Sequence, residues 1–273
     1  MWKNDMIIQE QAGCSVQLGC SLTRGSTGRT TNFETPEDHL QEALVEQWAK
    51  AKNRDAFLSH PNAAKFRSMI SETHVINGTT LVCYRGCYRR PDMLPRPLPN
   101  HFGPPPPELT EAGRYNIAGE PVLYLCTTDY GIVYEKQEDN NPIKNLFCQE
   151  YILDLSVLRL ADFADSNLDN FIRIVFDYTE YGLRGGNIDK SDYLFSQVIA
   201  AIVEQYGFSG MSVPGVRGVP DRRYQNIVIF NPEVIWKQFV NKDVEPICID
   251  NILSNYQGPN HANSADAKSR AAD

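Results

Sequence analysis

The apolar residues of this chain fall into short runs whose spacing predicts a mixture of helices and strands. Thr35 and Pro36 predict the start of a helix, because threonine caps helices well and proline fits their first turn. Apolar positions over 40–48 continue this helix with helical spacing, and a second short helix is predicted from Pro61. These two elements form an N-terminal helical extension.

Further apolar runs predict the elements of the main domain. Strands are predicted over 79–84, 121–126, 147–155, 208–213, 226–230 and 234–239, and helices over 168–176, over 192–205 and after Thr128 or Asp129. The strands are short, and helices separate them unevenly. This pattern predicts an α+β fold with a mixed, strongly bent β-sheet core and flanking helices. A Rossmann site is disfavoured because no GxGxxG opens a helix after a strand.

The same pattern divides the chain into three regions. Residues 1–76 form the extension with two helices, 77–240 the main domain, and 241–273 a C-terminal segment. Small polar residues dominate the end of that segment, so we expect disorder from about residue 257. The extension could be a lid, the surface of a homodimer or a docking element, and the sequence does not choose among these.

Charge and cysteine content narrow the class of protein. The net charge of −8 over 273 residues argues against direct nucleic-acid binding or a membrane surface, since both need basic faces. We find no signal peptide and no apolar run of membrane-spanning length, which predicts a cytoplasmic protein. Seven cysteines without a CxxC pair suit a reducing compartment, and the histidines and cysteines lack metal-site spacing, so no metal is expected.

Positive charge is nevertheless concentrated over residues 81–119, which predicts a site for an anionic small molecule there. This stretch holds five arginines against three acids, the arginines being Arg85, Arg89, Arg90, Arg96 and Arg114. Arg85 follows an apolar strand, Arg114 stands in a glycine-flanked turn, and Glu135 lies on a predicted helix. Arginine forks suit a pyrophosphate, and a carboxylate suits a developing oxocarbenium ion. Together they indicate a site for a dinucleotide that is cut at its ribose.

Five sequence elements, in this order, resemble the RES domain family over roughly residues 77–239. They are Tyr84-Arg85 at the first strand, Gly-Arg-Tyr-Asn-Ile-Ala-Gly at 113–119, Leu-Tyr-Leu at 123–125, the helix with Glu135, and a C-terminal pair of strands in which Asn226 opens the second. The order and spacing of the five elements carry the resemblance, since none of them is specific alone.

Members of this family are NAD-consuming toxins of bacterial toxin–antitoxin pairs, related in fold to ADP-ribosyltransferases. The resemblance implies that NAD is a substrate, with no resident cofactor, and that a separately encoded helix-turn-helix antitoxin is a partner. It implies Glu135, Arg85 and Arg114 as catalytic residues. It implies that NAD is bound by Tyr84, Tyr115, Asn116, Tyr124, Ser212 and Asn226.

Two positions depart from the family pattern. The serine expected after Pro214 is Gly215, and Tyr115 replaces a tryptophan while keeping a stacking ring. Ser212 could substitute for the missing serine if the strand bulges, because regular alternation points it away from the side of Val213.

Each candidate also has a structural interpretation. Arg85 could pair with Asp154, Arg114 and Glu135 could be solvated at the surface, Asn226 could cap a turn, and Tyr124 could belong to the core.

Three functions remain open from the sequence. The first is an NAD glycohydrolase or phosphorylase, for which no strong general acid is needed because nicotinamide leaves as a neutral molecule. The second is an ADP-ribosyltransferase that modifies a protein. The third is a catalytically weakened NAD-binding or interaction protein, which Gly215 motivates.

Overall fold

The structure of this chain is a computed structural model that describes residues 35–51, 53–70, 75–89, 96–136, 145–165, 168–181, 193–215, 224–233 and 235–249. The sequence-based predictions for 1–34 and for the tail from about residue 257 lie outside these ranges.

Seven strands in the described ranges form one mixed sheet in the order β4-β5-β6-β2-β1-β3-β7. The strands are β1 (Thr80–Tyr88), β2 (Val122–Cys126), β3 (Leu146–Asp154), β4 (Leu160–Asp162), β5 (Gly210–Pro214), β6 (Gln225–Phe230) and β7 (Ile247–Cys248). Every neighbouring pair is antiparallel except β4 and β5, which run parallel. The α+β class predicted from the sequence is therefore confirmed.

Helices flank this sheet. They are α1 (Pro36–Ala49), α2 (Arg54–Ser59), α3 (Pro61–Ile70), α4 (Asp129–Lys136), α5 (Asn170–Tyr181), α6 (Leu194–Gln205) and α7 (Trp236–Phe239), together with short 3₁₀ helices at Pro99–Phe102 and Pro107–Leu109. The helix predicted over 192–205 ends as expected, since Gly207 follows it with a φ of 78°, a conformation that glycine adopts readily.

The N-terminal helices are packed into the main core. Thr35 and Asp38 form a reciprocal capping box at the start of α1. Trp48 of α1 is fully buried, donates its Nε1–H to the carbonyl of Phe57 at 2.9 Å, and meets the ring of Phe195 of α6 edge to face at 4.9 Å. One apolar cluster joins α1, α2 and α3 to α5 and α6.

The two faces of the sheet carry different apolar clusters. The face on which a residue lies determines which other site residues its side chain can contact. One face, here the α4 face, presents Tyr84, Tyr124, Cys126, Val213 and Val228 towards α4, α5 and α6. The other, here the Trp236 face, presents apolar side chains towards α7 and Phe102, namely Cys83, Leu123, Leu125, Ile227 and Ile229. Successive residues of a strand alternate between these faces.

The strand predicted over 234–239 is wrong for the residues of it that the structure describes, 235–239. The amides of Ile235 and Trp236 both bond to the carbonyl of Pro232, at 3.1 and 2.9 Å, so the chain turns immediately and continues as α7. Trp236 is buried against Gly103, where an added Cβ would lie 2.5 Å from the indole. The apolar run therefore reflects burial of one helical turn, which a short run does not distinguish from a strand.

Candidate active site

The helix that carries Glu135 is held tightly against the sheet. The hydroxyl of Thr128 accepts the amide of Gly131 at 3.2 Å and so caps the start of α4. At Gly86 of β1 a Cβ would lie 2.4 Å from the Cγ2 of Ile132, which shows how closely α4 approaches the strand. Glu135, in the last turn of α4, is half-buried at the end of this contact.

Two side chains from one stretch of chain hold the Glu135 carboxylate. The Tyr224 hydroxyl and the Asn226 side-chain amide each donate to Glu135 Oε1 at 2.7 Å. The amide of Asn226 is oriented in turn by the Cys126 thiol, which donates to Asn226 Oδ1 at 3.1 Å. Burial, and then the nearby Glu135 charge, raise the pKa of Cys126 well above its ordinary value, so this thiol stays protonated as a donor.

The register of the sheet brings Tyr84 into the same row. Tyr84 lies opposite Cys126, and Cys126 lies opposite Asn226. Directly opposed residues share a face. Tyr84 and Asn226 therefore lie in one row on the α4 face, and Glu135 joins this row through its hydrogen bond to Asn226.

A second cluster surrounds Arg114 over the same face. The half-buried Arg114 guanidinium lies 4.7 Å from the centroid of the Tyr115 ring, and Nη2 donates to Thr179 Oγ1 of α5 at 3.1 Å. The backbone of the turn is held from α6, because Gln197 Nε2 donates to the carbonyls of Gly113 and Asn116 at 2.8 and 3.0 Å.

The Tyr124 hydroxyl ties this turn to the sheet. It accepts the Tyr115 amide at 2.9 Å and donates to Asn116 Oδ1 at 3.1 Å. Tyr115 is only 3% exposed and Asn116 only 6%, so both lie in the wall of the turn. Burial raises the pKa of Tyr124 above its ordinary value, which keeps the phenol neutral and able to donate.

The two clusters are neighbours along β2. Tyr124 anchors the Arg114 turn, and Cys126 anchors the Glu135 row, two residues further along the same face. Two residues of a strand span about 7 Å. The residues that anchor the Arg114 turn and the Glu135 row, Tyr124 and Cys126, are thus one same-face step apart.

Arg85 lies on the opposite side of the sheet. β1 and β2 are paired at one position, Tyr84 with Cys126, and Arg85 occupies the gap beside it. Its Nη1 and Nη2 donate to the carbonyls of Tyr124 and Gly103 at 2.9 and 3.1 Å. Burial lowers the pKa of this guanidinium from its ordinary value.

The ion pair considered between Arg85 and Asp154 has no geometric basis. Asp154 stands opposite Thr80 at the far end of the β1–β3 ladder, and it accepts from Ser156.

Ser212 also belongs to the Trp236 face. It is fully buried, lies opposite Ile227 and Asp162, and donates to Gln225 Oε1 at 3.2 Å. Gly215, where the resemblance places a serine, lies against Tyr224: its amide donates to the Tyr224 carbonyl at 2.9 Å, and a Cβ there would lie 2.2 Å from the Tyr224 ring.

The sequence reasoning missed Tyr224, Thr179 and Gln197. Tyr224 stands two residues before Asn226, so strand alternation alone would place both on one face. Thr179 and Gln197 lie on helices whose alignment with the Arg114 turn has no counterpart in local sequence. Among the described residues, no group of three or more histidines, cysteines or acids could hold a metal ion.

The fold and site define an α+β protein whose sheet carries a held carboxylate and a supported arginine on one face. The RES domain family matches residues 86–246, and the chain belongs to that family. A search of curated proteins finds no match. Among solved structures, a chain of the M. tuberculosis MbcT–MbcA toxin–antitoxin complex is similar over 64% of this chain and 87% of its own, at 12% identity and a TM-score of 0.40.

Within the described ranges, no helix is both long enough and apolar enough to cross a membrane.

Proposed function

We propose that this chain cleaves NAD at the bond between ribose and nicotinamide. The observation that carries the proposal is the Glu135 carboxylate, which Tyr224 and Asn226 hold. Asn226 lies opposite Cys126, which is one same-face step along β2 from Tyr124, the anchor of the Arg114 turn. A fixed carboxylate and a guanidinium are the two groups that an oxocarbenium-like ribose and its pyrophosphate require. Membership of the RES domain family supports the same reaction.

The reaction proceeds by breaking one bond and forming one. The C1′–N bond of NAD breaks, and its electron pair goes to the ring nitrogen, which makes nicotinamide neutral. The ribose carbon becomes cationic, and water or phosphate attacks it. With water, the products are nicotinamide, ADP-ribose and a proton; with phosphate, they are nicotinamide and ADP-ribose phosphate.

In this proposal each residue of the site has its own role in the reaction. Glu135 accepts from the ribose hydroxyls and stabilises the cation. Arg114 pairs with the pyrophosphate, and Tyr84 offers a half-buried ring on the same face for stacking. Asn226 orients Glu135.

The remaining candidates take supporting parts in the proposal. Tyr115, Asn116 and Tyr124 hold the turn that presents Arg114. The pyrophosphate role of Arg85 stays a prediction, and its bonds to two backbone carbonyls support a structural part instead. The NAD-binding role of Ser212 also stays a prediction.

Nicotinamide release tests the proposal directly. Purified protein is incubated with NAD, with and without phosphate, and products are separated with mass detection. We expect release by the wild type and a loss of at least about 100-fold in Glu135→Gln, since the charge that stabilises the transition state is removed. Glu108→Gln, which neutralises an exposed carboxylate in the loop, is the matched control and should retain full activity.

The products separate the alternatives. ADP-ribose identifies a glycohydrolase, its phosphorylated form a phosphorylase, and label from adenine-tagged NAD on a protein band a transferase. Binding of NAD by folded wild type without any release would overturn the proposal in favour of a non-catalytic NAD-binding protein.

We further propose a toxin role with a separately encoded helix-turn-helix antitoxin, acting in the cytoplasm. Family membership supports the role, and the odd cysteine count without a pairing pattern suits a reducing compartment. Induced expression in bacteria should lower cellular NAD and arrest growth, and Glu135→Gln should do neither. Growth arrest by both forms at unchanged NAD would contradict this role.

A further inference from the structure

The ring of Tyr224 packs directly against two glycines. An added Cβ at Gly215, at the end of β5, would lie 2.2, 2.4 and 2.5 Å from ring atoms of Tyr224. A Cβ at Gly131 of α4 would also lie 2.8 and 2.9 Å from atoms of the same ring. Real Cβ atoms do not approach ring carbons this closely, so both positions must lack a side chain for the ring to lie where it does.

Aromatic packing and burial fix the ring further. Tyr134 stacks on Tyr224 with centroids 6.1 Å apart and planes 10° from parallel, and Tyr130 meets it edge on at 6.5 Å. The Tyr224 residue is only 4% exposed. A ring confined by two glycines and two tyrosines can present its hydroxyl in only a narrow range of positions.

That hydroxyl reaches the carboxylate on which the proposed reaction depends. It donates to Glu135 Oε1 at 2.7 Å, and Asn226 donates to the same oxygen at the same distance. Hydrogen bonds to a charged acceptor are the stronger kind, and two converging on one oxygen fix the rotation of the carboxylate. The orientation of Glu135 is therefore set from the β6 side.

We propose that Tyr224 is a positioning residue for Glu135, and that Gly215 and Gly131 are the seat of its ring. The inference rests on the proposed function, since it assigns Tyr224 to the reaction of that carboxylate. Gly215 then has a role of its own: the missing side chain makes room for a phenol that delivers a hydroxyl to Glu135.

Unfolding experiments test the link without any substrate. In a double-mutant cycle, Tyr224→Phe and Glu135→Ala are combined, and urea midpoints are measured. We expect the midpoint shift of the double variant to differ from the sum of the two single shifts, because each single change breaks the same bond. Additive shifts would mean that the hydroxyl and the carboxylate do not interact, and would overturn the inference.

Kinetics test the positioning role. We expect Tyr224→Phe to lower kcat for NAD cleavage by about 10- to 100-fold, the contribution of one hydrogen bond to a charged group, with KM within about threefold of wild type. Tyr206→Phe, which removes a hydroxyl from a partly exposed ring just after α6, is the matched control and should keep its kcat. Wild-type turnover with an unchanged kcat in Tyr224→Phe would overturn this inference alone, whereas an inactive wild type would overturn the proposed function.

A separate experiment tests whether Gly215 makes room for the Tyr224 ring. Gly215→Ala should lower kcat as Tyr224→Phe does, because the added methyl displaces the ring. In a Tyr224→Ala background the same alanine should leave the melting temperature unchanged, since no ring remains to displace. A melting temperature lowered equally in both backgrounds would show that Gly215 serves its own backbone and not Tyr224.

Discussion

Asp162 is a carboxylate in an unfavourable setting on the Trp236 face, opposite the buried Ser212. Burial raises its pKa above the ordinary value of 3.8, and the Asp165 charge adds to the rise, while the hydrogen bond from the Ala164 amide partly offsets it. The folded state therefore binds the Asp162 proton more tightly than the unfolded state does. Its contribution to stability is unfavourable above the folded pKa and becomes more favourable as pH falls.

We predict that Asp162→Asn raises the melting temperature at pH 7, because it removes a half-buried charge and keeps the acceptor for the Ala164 amide. The gain should shrink as pH is lowered towards 3.8, where the wild-type carboxyl is itself protonated. Thermal unfolding of both proteins over a pH series measures this. A gain that stays constant, or grows on the acid side, would contradict the predicted direction.

Tyr84 and Arg85, which are adjacent in the sequence, show which features of the site can be predicted from the sequence and which cannot. Their alternation on a strand is predictable, and it places the tyrosine on the α4 face and the arginine on the other. The gap between β1 and β2 is not predictable, since it depends on how the two strands diverge, and the hydrogen bond in it joins residues 39 positions apart, Arg85 and Tyr124. In that gap the Arg85 guanidinium donates to two backbone carbonyls, contacts that the sequence does not indicate.

Local signals predict the elements that carry Glu135 and Asn226, whereas their roles in the site are implied by the resemblance to the RES domain family. Thr128 and Asp129 predict the helix, and an asparagine before an apolar run predicts the strand. The bond between them joins residues 91 positions apart, and no local pattern encodes it. Of the five arginines in the positive stretch, Arg96 pairs with Glu245 at the surface, which sequence charge alone does not indicate.

At the scale of elements, the strand boundaries predicted from the sequence follow the apolar runs. They do not include residues that belong to a strand only because they pair with a neighbouring strand. β1 continues to Tyr88 because it pairs with β3 along its whole length, although Arg85 and Gly86 interrupt the apolar pattern. β4 and β7 have three and two residues, too few for a periodic signal.

The three N-terminal helices lie outside the family match and yet complete the apolar core. We predict that Trp48→Ala lowers the free energy of unfolding by about 3–5 kcal/mol, through the cavity it leaves and the lost bond to the Phe57 carbonyl. Urea unfolding measures the loss. Leu40→Ala on the same helix, where the side chain is 61% exposed, is the control and should change stability by less than about 0.5 kcal/mol. A near-neutral Trp48→Ala would mean that α1 is dispensable for the fold.

At the scale of the whole molecule, the family match begins later in the chain than the residues that share one apolar core. The match begins at residue 86, inside β1, and the apolar cluster reaches back to Val45. Composition and alternation were sufficient to predict the α+β class. They could not predict that α1, α2 and α3 would share a core with α5 and α6, because helix-to-helix packing depends on shapes that meet only in the folded chain.

The hydrogen bonds of Glu135 have a consequence during protein synthesis. Its two partners are made 89 and 91 residues after it. At roughly 5–20 residues per second, a ribosome needs about 5–18 s to reach Asn226 once Glu135 has been added. Until then the carboxylate has neither donor, and the nascent chain carries no assembled site. In a series of chains arrested at successive lengths, turnover should therefore appear only where Asn226 has left the ribosome, and turnover in shorter chains would show that Glu135 works without these donors.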